Sequence, residues 1–298
     1  MTNVFFIVGP TATGKSELAA DVALQVGAEI VSADAFQIYR GLDLLTAKPD
    51  AATLRKTPHH LIGTVSLSEE MNAEKFRRQA GEAMAEIQAR GRRVLVVGGS
   101  GLYIKALTHG LSPLPAADPA LRRQLDHLST GELGVRLAQL DPPTAGRIDL
   151  KNRHRLIRAV EICLLTGRPM TTQRQASSGP AAPAGVFVLR DRADLYTRIN
   201  QRVQRMLEQG VVEEISGITE TSATAGKTLG FSELRALLDG RISRAECVAA
   251  IQQQTRRYAK RQLTWFRRQT SFEPLNLSSL SHLKAVEWIT ARVLSLSR

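Results

Sequence analysis

Residues 4–16 read V-F-F-I-V-G-P-T-A-T-G-K-S, and the rest of the chain is arranged around this stretch. Residues 9–16 fit the phosphate-binding pattern G-x-x-x-x-G-K-[ST]. The apolar run before the pattern predicts a buried strand, and the helical spacing of Leu18 and Val22 predicts a helix that stops at Gly27. Strand, loop and helix N-terminus together direct several backbone N–H groups at one point, where a phosphate binds.

The loop itself carries residue types suited to this chemistry. Gly9 and Gly14 allow the backbone to bend tightly. Lys15 supplies a positive charge, and the hydroxyl of Ser16 is suited to holding Mg²⁺. The predicted loop consists of Gly9, Pro10, Thr11, Ala12, Thr13, Gly14, Lys15 and Ser16. The pattern predicts a phosphorylated ligand but does not say which one.

Composition narrows the class of protein. A chain of 298 residues can bury a full core, and a net charge of +12 favours a polyanionic partner. The two cysteines, Cys163 and Cys247, are far apart and lack zinc-ligand spacing, which fits a reducing compartment. We find no apolar run long enough to span a membrane and no secretory signal, so we expect a cytoplasmic protein.

Strands and helices alternate after the loop. A second strand is predicted over residues 29–34, ending at Asp34, and another over residues 94–97, ending in the glycine turn of residues 98–101. Between them, Asn72 is suited to capping a helix that Gly91 closes. This alternation predicts a parallel, doubly wound sheet, in which ligands bind beyond the carboxyl ends of the strands.

Two proline-rich segments, residues 112–119 and 177–185, bracket a stretch with a helical pattern. They could also be long surface loops. After them we predict one more strand over residues 186–189 and only helices from there on. The predicted fold class is α/β: a P-loop-containing parallel sheet core flanked by helices, with an inserted all-helical domain. The predicted domains are a catalytic core of residues 1–112 and 186–298 and a helical insertion of residues 113–185.

Asp34 is the first candidate for chemistry, because the end of its strand arrives beside the phosphate loop. Its carboxylate could act as a general base, bind magnesium, bind a sugar hydroxyl or cap the following turn. No apolar run ends in the aspartate that an enzyme hydrolysing ATP would need, because residues 94–97 lead into Gly98.

Residues 256–268, R-R-Y-A-K-R-Q-L-T-W-F-R-R, contain six basic and no acidic residues. On a helix, Tyr258 and Trp265 share an apolar face, while the basic residues form two rows. A solvated face normally carries both signs of charge, so this face favours a nucleic-acid backbone. A second basic cluster includes Arg153 and Arg158, and the adjacent His59 and His60 indicate a turn more than a metal site.

Taken in order, these motifs closely resemble the bacterial tRNA dimethylallyltransferases of the IPP transferase family. The resemblance covers nearly the whole chain. It rests on the loop, on residues 32–49 (S-A-D-A-F-Q-I-Y-R-G-L-D-L-L-T-A-K-P), 97–103 (V-G-G-S-G-L-Y), 111–115 (L-S-P-L-P), 153–161 (R-H-R-L-I-R-A-V-E), 198–203 (R-I-N-Q-R-V) and 260–267 (K-R-Q-L-T-W-F-R).

The resemblance implies a reaction and a partner. Such enzymes transfer a dimethylallyl group from dimethylallyl diphosphate to N6 of the adenine immediately 3′ of the anticodon, adenosine 37, in tRNAs that read codons beginning with U. The loop would then hold an isoprenoid diphosphate with Mg²⁺, and the helical insertion would contact the anticodon stem. We expect no membrane partner and a monomeric enzyme.

The resemblance also assigns residues. Asp34 matches the general base, and Thr11 and Arg202 match diphosphate contacts. The positions matching tRNA contacts are Asp34, Ala35, Phe36, Gln37, Ser100, Arg122, His154, Arg155, Leu156, Ile157, Arg158, Lys227, Thr228, Leu229, Gly230, Phe231, Ser232, Lys260, Arg261, Gln262, Leu263, Thr264, Trp265, Phe266 and Arg267. The chain departs from the usual pattern at Ala35, Phe36, Leu45, Ser100 and Phe231, which affects expected base contacts.

Three other functions share part of this pattern. An adenylate isopentenyltransferase shares the loop and the chemistry but would have little use for the basic helix. A small-molecule kinase with the same loop would turn over ATP without an isoprenoid. A non-catalytic RNA-binding module would not need a complete phosphate loop beside Asp34.

Overall fold

The computed structural model describes residues 3–173 and 183–296. Its strands are β1 (Val4–Val8), β2 (Ala28–Ser32), β3 (His59–His60), β4 (Arg93–Gly98), β5 (Gly185–Leu189) and β6 (Glu273–Asn276). Its α-helices are α1 (Lys15–Val26), α2 (Ala51–Lys56), α3 (Ala73–Ala89), α4 (Gly101–Thr108), α5 (Pro119–Asp126), α6 (Thr130–Leu140), α7 (Pro142–Ala145), α8 (Arg153–Thr166), α9 (Met170–Gln173), α10 (Arg192–Glu208), α11 (Val211–Ser216), α12 (Phe231–Leu238), α13 (Arg244–Gln269) and α14 (His282–Ser295).

The strands form one parallel sheet in the order β3-β2-β4-β1-β5-β6. β1 lies inside the sheet, where Val8 is in register with Gly98 of β4 and Phe187 of β5. The carboxyl ends of these three strands therefore meet where the phosphate loop leaves β1. The predicted parallel α/β fold with a P-loop core is confirmed.

Both faces of the sheet are covered. Phe6 and Val8 belong to a core that includes side chains of α3, α4 and α13, whereas Phe5 and Ile7 belong to a second core with α1 and α14. Every residue of β1 is buried, which explains why its sequence is apolar throughout instead of alternating. The sheet is doubly wound, as predicted.

Two glycines of the loop are required for different reasons. Gly14 precedes α1 with φ +90°, a left-handed conformation that is costly for other residues. Gly9 is needed because a Cβ there would lie 2.2 Å from the carbonyl oxygen of Val188. The first therefore sets the turn, and the second lets the loop approach β5.

Three local predictions were wrong. β3 forms where His59 and His60 were expected to make a turn, because they pair with Ile30 and Val31 of β2. β6 lies in the region predicted to be helical; it is an edge strand containing Pro274, which weakens its sequence signal. β2 also ends before Asp34, which therefore sits in the loop that follows the strand.

The chain divides into two compact units, residues 1–108 with 180–298 and residues 109–179. The first holds the sheet. The second contains the helices α5 to α9, and it packs around buried leucines that include Leu125, Leu133 and Leu156. Much of the predicted proline-rich segment 177–185 lies outside the described residues. Among the helices that the structure describes, none is long and apolar enough to cross a membrane.

Candidate active site

Two arginines brace the phosphate loop from outside. Arg190, directly after β5, donates from Nε to the carbonyl of Thr13 at 2.8 Å, and Arg198 of α10 donates to the carbonyl of Ala12 at 2.9 Å. Ala12 itself has φ +66°, an uncommon conformation for a residue with a side chain. Two positive charges thus hold a strained loop in place. Neither arginine was predicted as a site residue, although the position of Arg190 at the end of a strand could have indicated it.

Lys15 is the cation at the centre of the loop. Its ammonium is enclosed by protein although part of the side chain is exposed, and it donates to the carbonyl of Pro10 at 3.3 Å. Burial lowers the pKa of Lys15 to about 8, while the nearby Asp34 carboxylate opposes that shift and the Arg202 guanidinium adds to it. The site therefore concentrates positive charge that an anionic ligand would offset.

Thr11 and Arg202, the two positions that match diphosphate contacts of the family, lie next to each other. Arg202 of α10 donates from Nη1 to Oγ1 of Thr11 at 3.0 Å and from Nη2 to the carbonyl oxygen of Thr46 at 3.0 Å. Burial lowers the pKa of Arg202, and the attraction of Asp34 works in the opposite direction. The guanidinium is thus fixed beside the loop by two partners.

Asp34 caps the turn that follows β2. Its Oδ1 accepts from the backbone N–H of Phe36 at 3.0 Å and of Gln37 at 3.3 Å. Asp34 therefore does cap the turn, as one of the alternatives held. Both of these capping hydrogen bonds go to the same carboxylate oxygen, Oδ1. Asp34 also lies close enough to Lys15 and Arg202 to interact electrostatically with both.

Two clefts meet at Asp34. The first contains side chains of the phosphate loop, and its lining residues include Lys15, Ser16, Ser32, Asp34, Gln37 and His59. The second offers about 540 Å³ of space, part of it open to solvent, and its lining residues include Thr11, Asp34, Phe36, Leu45, Arg202, Met206, Leu229, Ile251 and Tyr258. One carboxylate thus faces both a phosphate-binding region and a mainly apolar one.

Gln262 of α13 connects the basic helix to the loop. Its Oε1 accepts from the N–H of Thr11 at 2.9 Å, and its Nε2 donates to the carbonyl of Gly99 at 2.8 Å. The side chain is 5% exposed. Ser100 is also buried, and its Oγ accepts from the N–H of Ala35 at 2.8 Å. Two of the positions matching tRNA contacts are therefore committed to shaping the site.

The outer face of α13 is basic. Lys260, Arg261 and Arg267 are exposed, whereas Arg256 is half-buried and donates to Oδ1 of Asn200 at 2.7 Å. The ring of Trp265 packs against the core, and it lies so close to Gly101 that a Cβ on that residue would be 2.5 Å from it. The remaining positions matching tRNA contacts on this helix are Leu263, which is half-buried, Thr264, which is exposed, and Phe266, which is buried.

The segment before α12 mixes exposed and buried positions. Lys227 and Ser232 are exposed, while Thr228 and Phe231 are buried. Gly230 has φ +90° and precedes α12. Phe231, one of the departures from the usual pattern of the family, is thus a side chain that packs in the core.

In the helical unit, a buried carboxylate orients two arginines. Glu161 is fully buried and accepts from Arg122 Nε at 2.9 Å and from Arg158 Nη1 at 2.6 Å. Burial by itself would raise the pKa of Glu161, but these hydrogen bonds and that of the Asp118 N–H hold it below its usual value. His154 and Arg155 are exposed, whereas Leu156 and Ile157 belong to the core of the unit.

The sequence is similar to a known family of transferases and to several of its members. The family model "IPP transferase" matches residues 37–269. The tRNA dimethylallyltransferase 1 of Citrifermentans bemidjiense is 45% identical over 270 residues, covering 88% of each chain. The tRNA dimethylallyltransferase of Geobacter sulfurreducens is 42% identical over 297 residues, covering 94% of this chain and 95% of that one.

A solved structure is also similar. The full-length tRNA isopentenylpyrophosphate transferase of Bacillus halodurans superposes with a TM-score of 0.72 at 30% identity, covering 100% of this chain and 98% of that one. Fold and site define an α/β protein with a phosphate-binding loop at the carboxyl edge of a parallel sheet. Within that class, the chain belongs to the IPP transferase family and is a transferase.

Proposed function

We propose that the protein transfers a dimethylallyl group from dimethylallyl diphosphate to N6 of adenosine 37 in tRNAs that read codons beginning with U, releasing diphosphate. The observation that supports this most directly is the place of Asp34, which lines both the cleft of the phosphate loop and the cleft of Thr11 and Arg202. A carboxylate that lines the cleft of Lys15 and Ser16, and also a cleft in which Thr11 and Arg202 lie beside mainly apolar side chains, suits an allylic transfer. The named activity of the similar proteins supports the same proposal.

In this reaction the N6 amine of adenine attacks the first allylic carbon. The C–O bond to the diphosphate breaks, the N–C bond forms, and the proton lost from N6 passes to the Asp34 carboxylate. The amine is a weak nucleophile because its lone pair is delocalised into the ring, so positioning and proton removal carry the catalysis. The adenine has to leave its stack to reach Asp34.

The leaving diphosphate gathers negative charge as the C–O bond breaks. Lys15, Arg202 and the loop N–H groups supply the matching positive charge in a partly enclosed site, where electrostatic interactions are strong. Thr11 would contact the diphosphate through the hydroxyl that Arg202 already orients. No water needs to be activated, which agrees with β4 ending at Gly98 and not in the aspartate that ATP-hydrolysing enzymes carry there.

The residues present fit Mg²⁺. The hydroxyl of Ser16 and the carboxylate of Asp34 line one cleft, and both are oxygen ligands of the kind that Mg²⁺ takes together with phosphate oxygens. Ser16 would hold the ion through its hydroxyl. Bound there, it would neutralise part of the charge on the diphosphate.

The tRNA would lie on positively charged surfaces in each unit. In the core these are the exposed basic residues of α13 together with Lys227, and residues 34–37 after β2, which include no basic residue, would add further tRNA contacts. In the helical unit they are Arg122, His154, Arg155 and Arg158, which would hold the anticodon stem. We further propose that the enzyme acts in the cytoplasm as a monomer.

The proposal is tested by incubating the protein with Mg²⁺, dimethylallyl diphosphate labelled in its allyl group, and tRNA, AMP and ATP together. Label should appear in tRNA at adenosine 37. An adenylate isopentenyltransferase would instead label free AMP and leave tRNA unlabelled. Consumption of ATP without any transfer of label would place the protein among the small-molecule kinases.

A further inference from the structure

Glu214, in α11, binds a segment that lies about 170 positions earlier in the chain. Its Oε1 accepts from the N–H groups of Asp43 at 2.6 Å and Leu44 at 2.7 Å, and its Oε2 accepts from the N–H of Leu45 at 2.9 Å. Three consecutive backbone amides thus converge on one carboxylate. Such an arrangement resembles the capping of a helix N-terminus by an anion.

The segment that Glu214 binds is a single helical turn. Its first hydrogen bond runs from the N–H of Thr46 to the carbonyl of Leu42 at 3.4 Å, and its end is closed by bonds from Ala47 to Leu44 and from Lys48 to Asp43, both 3.0 Å. Ala47 has φ +44°, the left-handed conformation of a Schellman ending that glycine usually adopts. One strained turn is not stable alone, so outside contacts have to hold it.

The carbonyl end of this turn reaches the site. The oxygen of Thr46 accepts from Nη2 of Arg202 at 3.0 Å and from Nε2 of Gln37 at 3.3 Å. The other side of the Arg202 guanidinium binds Oγ1 of Thr11 in the phosphate loop. A continuous chain of hydrogen bonds therefore runs from Glu214 through the turn and Arg202 to the loop.

The same turn forms part of the wall of the second cleft. Leu45, whose N–H is held by Glu214, is 4% exposed and lines that cleft together with Ile251 and Met206. The carboxylate of Glu214 therefore fixes two things at once: the direction of the Thr46 carbonyl and the place of the Leu45 side chain.

We propose that Glu214 is a positioning residue, which sets the orientation of Arg202 and the shape of the second cleft by capping the turn of residues 42–48. The role rests on the proposed function, because Arg202 is assigned there to the diphosphate. Glu214 lies on a short helix outside both clefts and is not among the residues that line them.

The experiment compares Glu214→Ala and Glu214→Gln with Glu213→Ala, a matched control whose side chain is exposed on the same helix. Affinity for inorganic diphosphate with Mg²⁺ is measured by calorimetry, and transfer is measured in a single turnover. Glu214→Ala should weaken diphosphate binding and slow transfer by about 10- to 100-fold each, as misplacement of a supporting group does. Glu214→Gln should lie between Ala and the parent, because one oxygen still accepts.

A double-mutant cycle separates positioning from general stability. In an Arg202→Ala background, Glu214→Ala should have little further effect on diphosphate affinity. The proposal would be overturned if the loss of diphosphate affinity in the double variant equalled the product of the losses in the two single variants. Parent-like diphosphate affinity in folded Glu214→Ala would also overturn it. If Glu214→Ala does not fold, the same cycle is run with Glu214→Gln, and the same two outcomes decide.

The readout on inorganic diphosphate keeps this inference separate from the proposed reaction. If the parent protein binds diphosphate but never labels tRNA, the reaction is wrong while the coupling between Glu214 and Arg202 is still measured. If the parent labels tRNA but the cycle shows no coupling, only the role of Glu214 is wrong.

Discussion

One carboxylate oxygen of Asp34 is engaged by backbone N–H groups, which makes a substitution at this residue unusually informative. In Asp34→Asn the side-chain carbonyl can still cap the turn, but the amide cannot take a proton. We expect single-turnover transfer to fall by about 10²–10⁴-fold, the usual loss for a general base, with affinities for tRNA and diphosphate near those of the parent. Asp239→Asn, at an exposed aspartate paired with Arg241, is the control. Transfer within a few-fold of the parent would leave Asp34 with its capping role alone.

The lowered pKa of Lys15 makes a prediction about stability and pH. A lysine whose pKa is about 8 in the folded protein and 10.5 when exposed destabilises the fold below about pH 8. That cost disappears as the pH rises toward 10.5, because the unfolded chain then also loses its proton. Lys15→Met should therefore raise the free energy of unfolding at pH 7 by at most about 3 kcal/mol and by much less near pH 10.

Urea denaturation at both pH values checks this expectation, with Lys105→Met at an exposed position of α4 as the control. A gain of equal size at both pH values would show that packing, and not charge, explains the effect. The same variant should bind inorganic diphosphate more weakly. The buried ammonium destabilises the free protein, but in the complex its charge attracts the diphosphate.

At the level of secondary-structure elements, α13 has two faces with different tasks. Its inner face places Gln262 between the phosphate loop and Gly99, the residue that follows β4, and its outer face carries exposed basic residues. Sequence periodicity predicted both an apolar and a basic face. It could not show that Gln262 is buried or that Arg256 binds Asn200, because both depend on elements distant in sequence.

The inner face is tested by Gln262→Met, which keeps the side chain's shape but removes its amide. The partly buried N–H of Thr11 and the buried carbonyl of Gly99 would each lose a partner, so we expect the free energy of unfolding to fall by roughly 1–3 kcal/mol. Diphosphate affinity should fall as well, because Thr11 belongs to the loop. Gln253→Met, at an exposed position of the same helix, should change neither quantity. An unchanged diphosphate affinity in Gln262→Met would mean that the loop holds its shape without this bridge.

The outer face is tested by the dependence of tRNA affinity on salt. Each phosphate contact contributes a slope of roughly 0.7–0.9 in log K against log salt. Lys260→Ala and Arg267→Ala should each lower the slope by somewhat less than one unit. Each should also lower the affinity for all tRNAs to the same extent. Arg256→Ala is the control on the same helix, because Arg256 is engaged by Asn200. Equal slopes in the parent and all three variants would show that tRNA binds elsewhere.

Across the whole molecule, the sequence predicted the class of fold because the decisive signals are local. The glycine loop, the apolar strand before it and the alternation of strands and helices each lie within a short window. β6 was missed because an edge strand of four residues with a proline has little pattern. Glu214 was missed because its partners are backbone N–H groups of distant residues, and no side-chain pattern records them.

The division into two units predicts that the two substrates can be affected separately. Arg155, exposed in the helical unit, should contribute to tRNA affinity alone, whereas Lys15 in the core should contribute to diphosphate affinity. We expect Arg155→Ala to weaken tRNA binding by up to about tenfold at 0.1 M salt, the loss of one phosphate contact. Its affinity for dimethylallyl diphosphate should equal that of the parent. Lys15→Ala should show the opposite pattern.

Both affinities are measured for each variant by titration in the same buffer, with Arg136→Ala as the control, because Arg136 is an exposed arginine of the same helical unit. A smaller loss of tRNA affinity in Arg136→Ala than in Arg155→Ala would show that Arg155, at the start of α8, makes a specific contact with the tRNA. Equal losses in the two variants would mean that the helical unit attracts tRNA only through its net charge. A loss of diphosphate affinity in Arg155→Ala as large as its loss of tRNA affinity would contradict the division, because a phosphate contact made by Arg155 has no physical reason to act on the loop of the other unit.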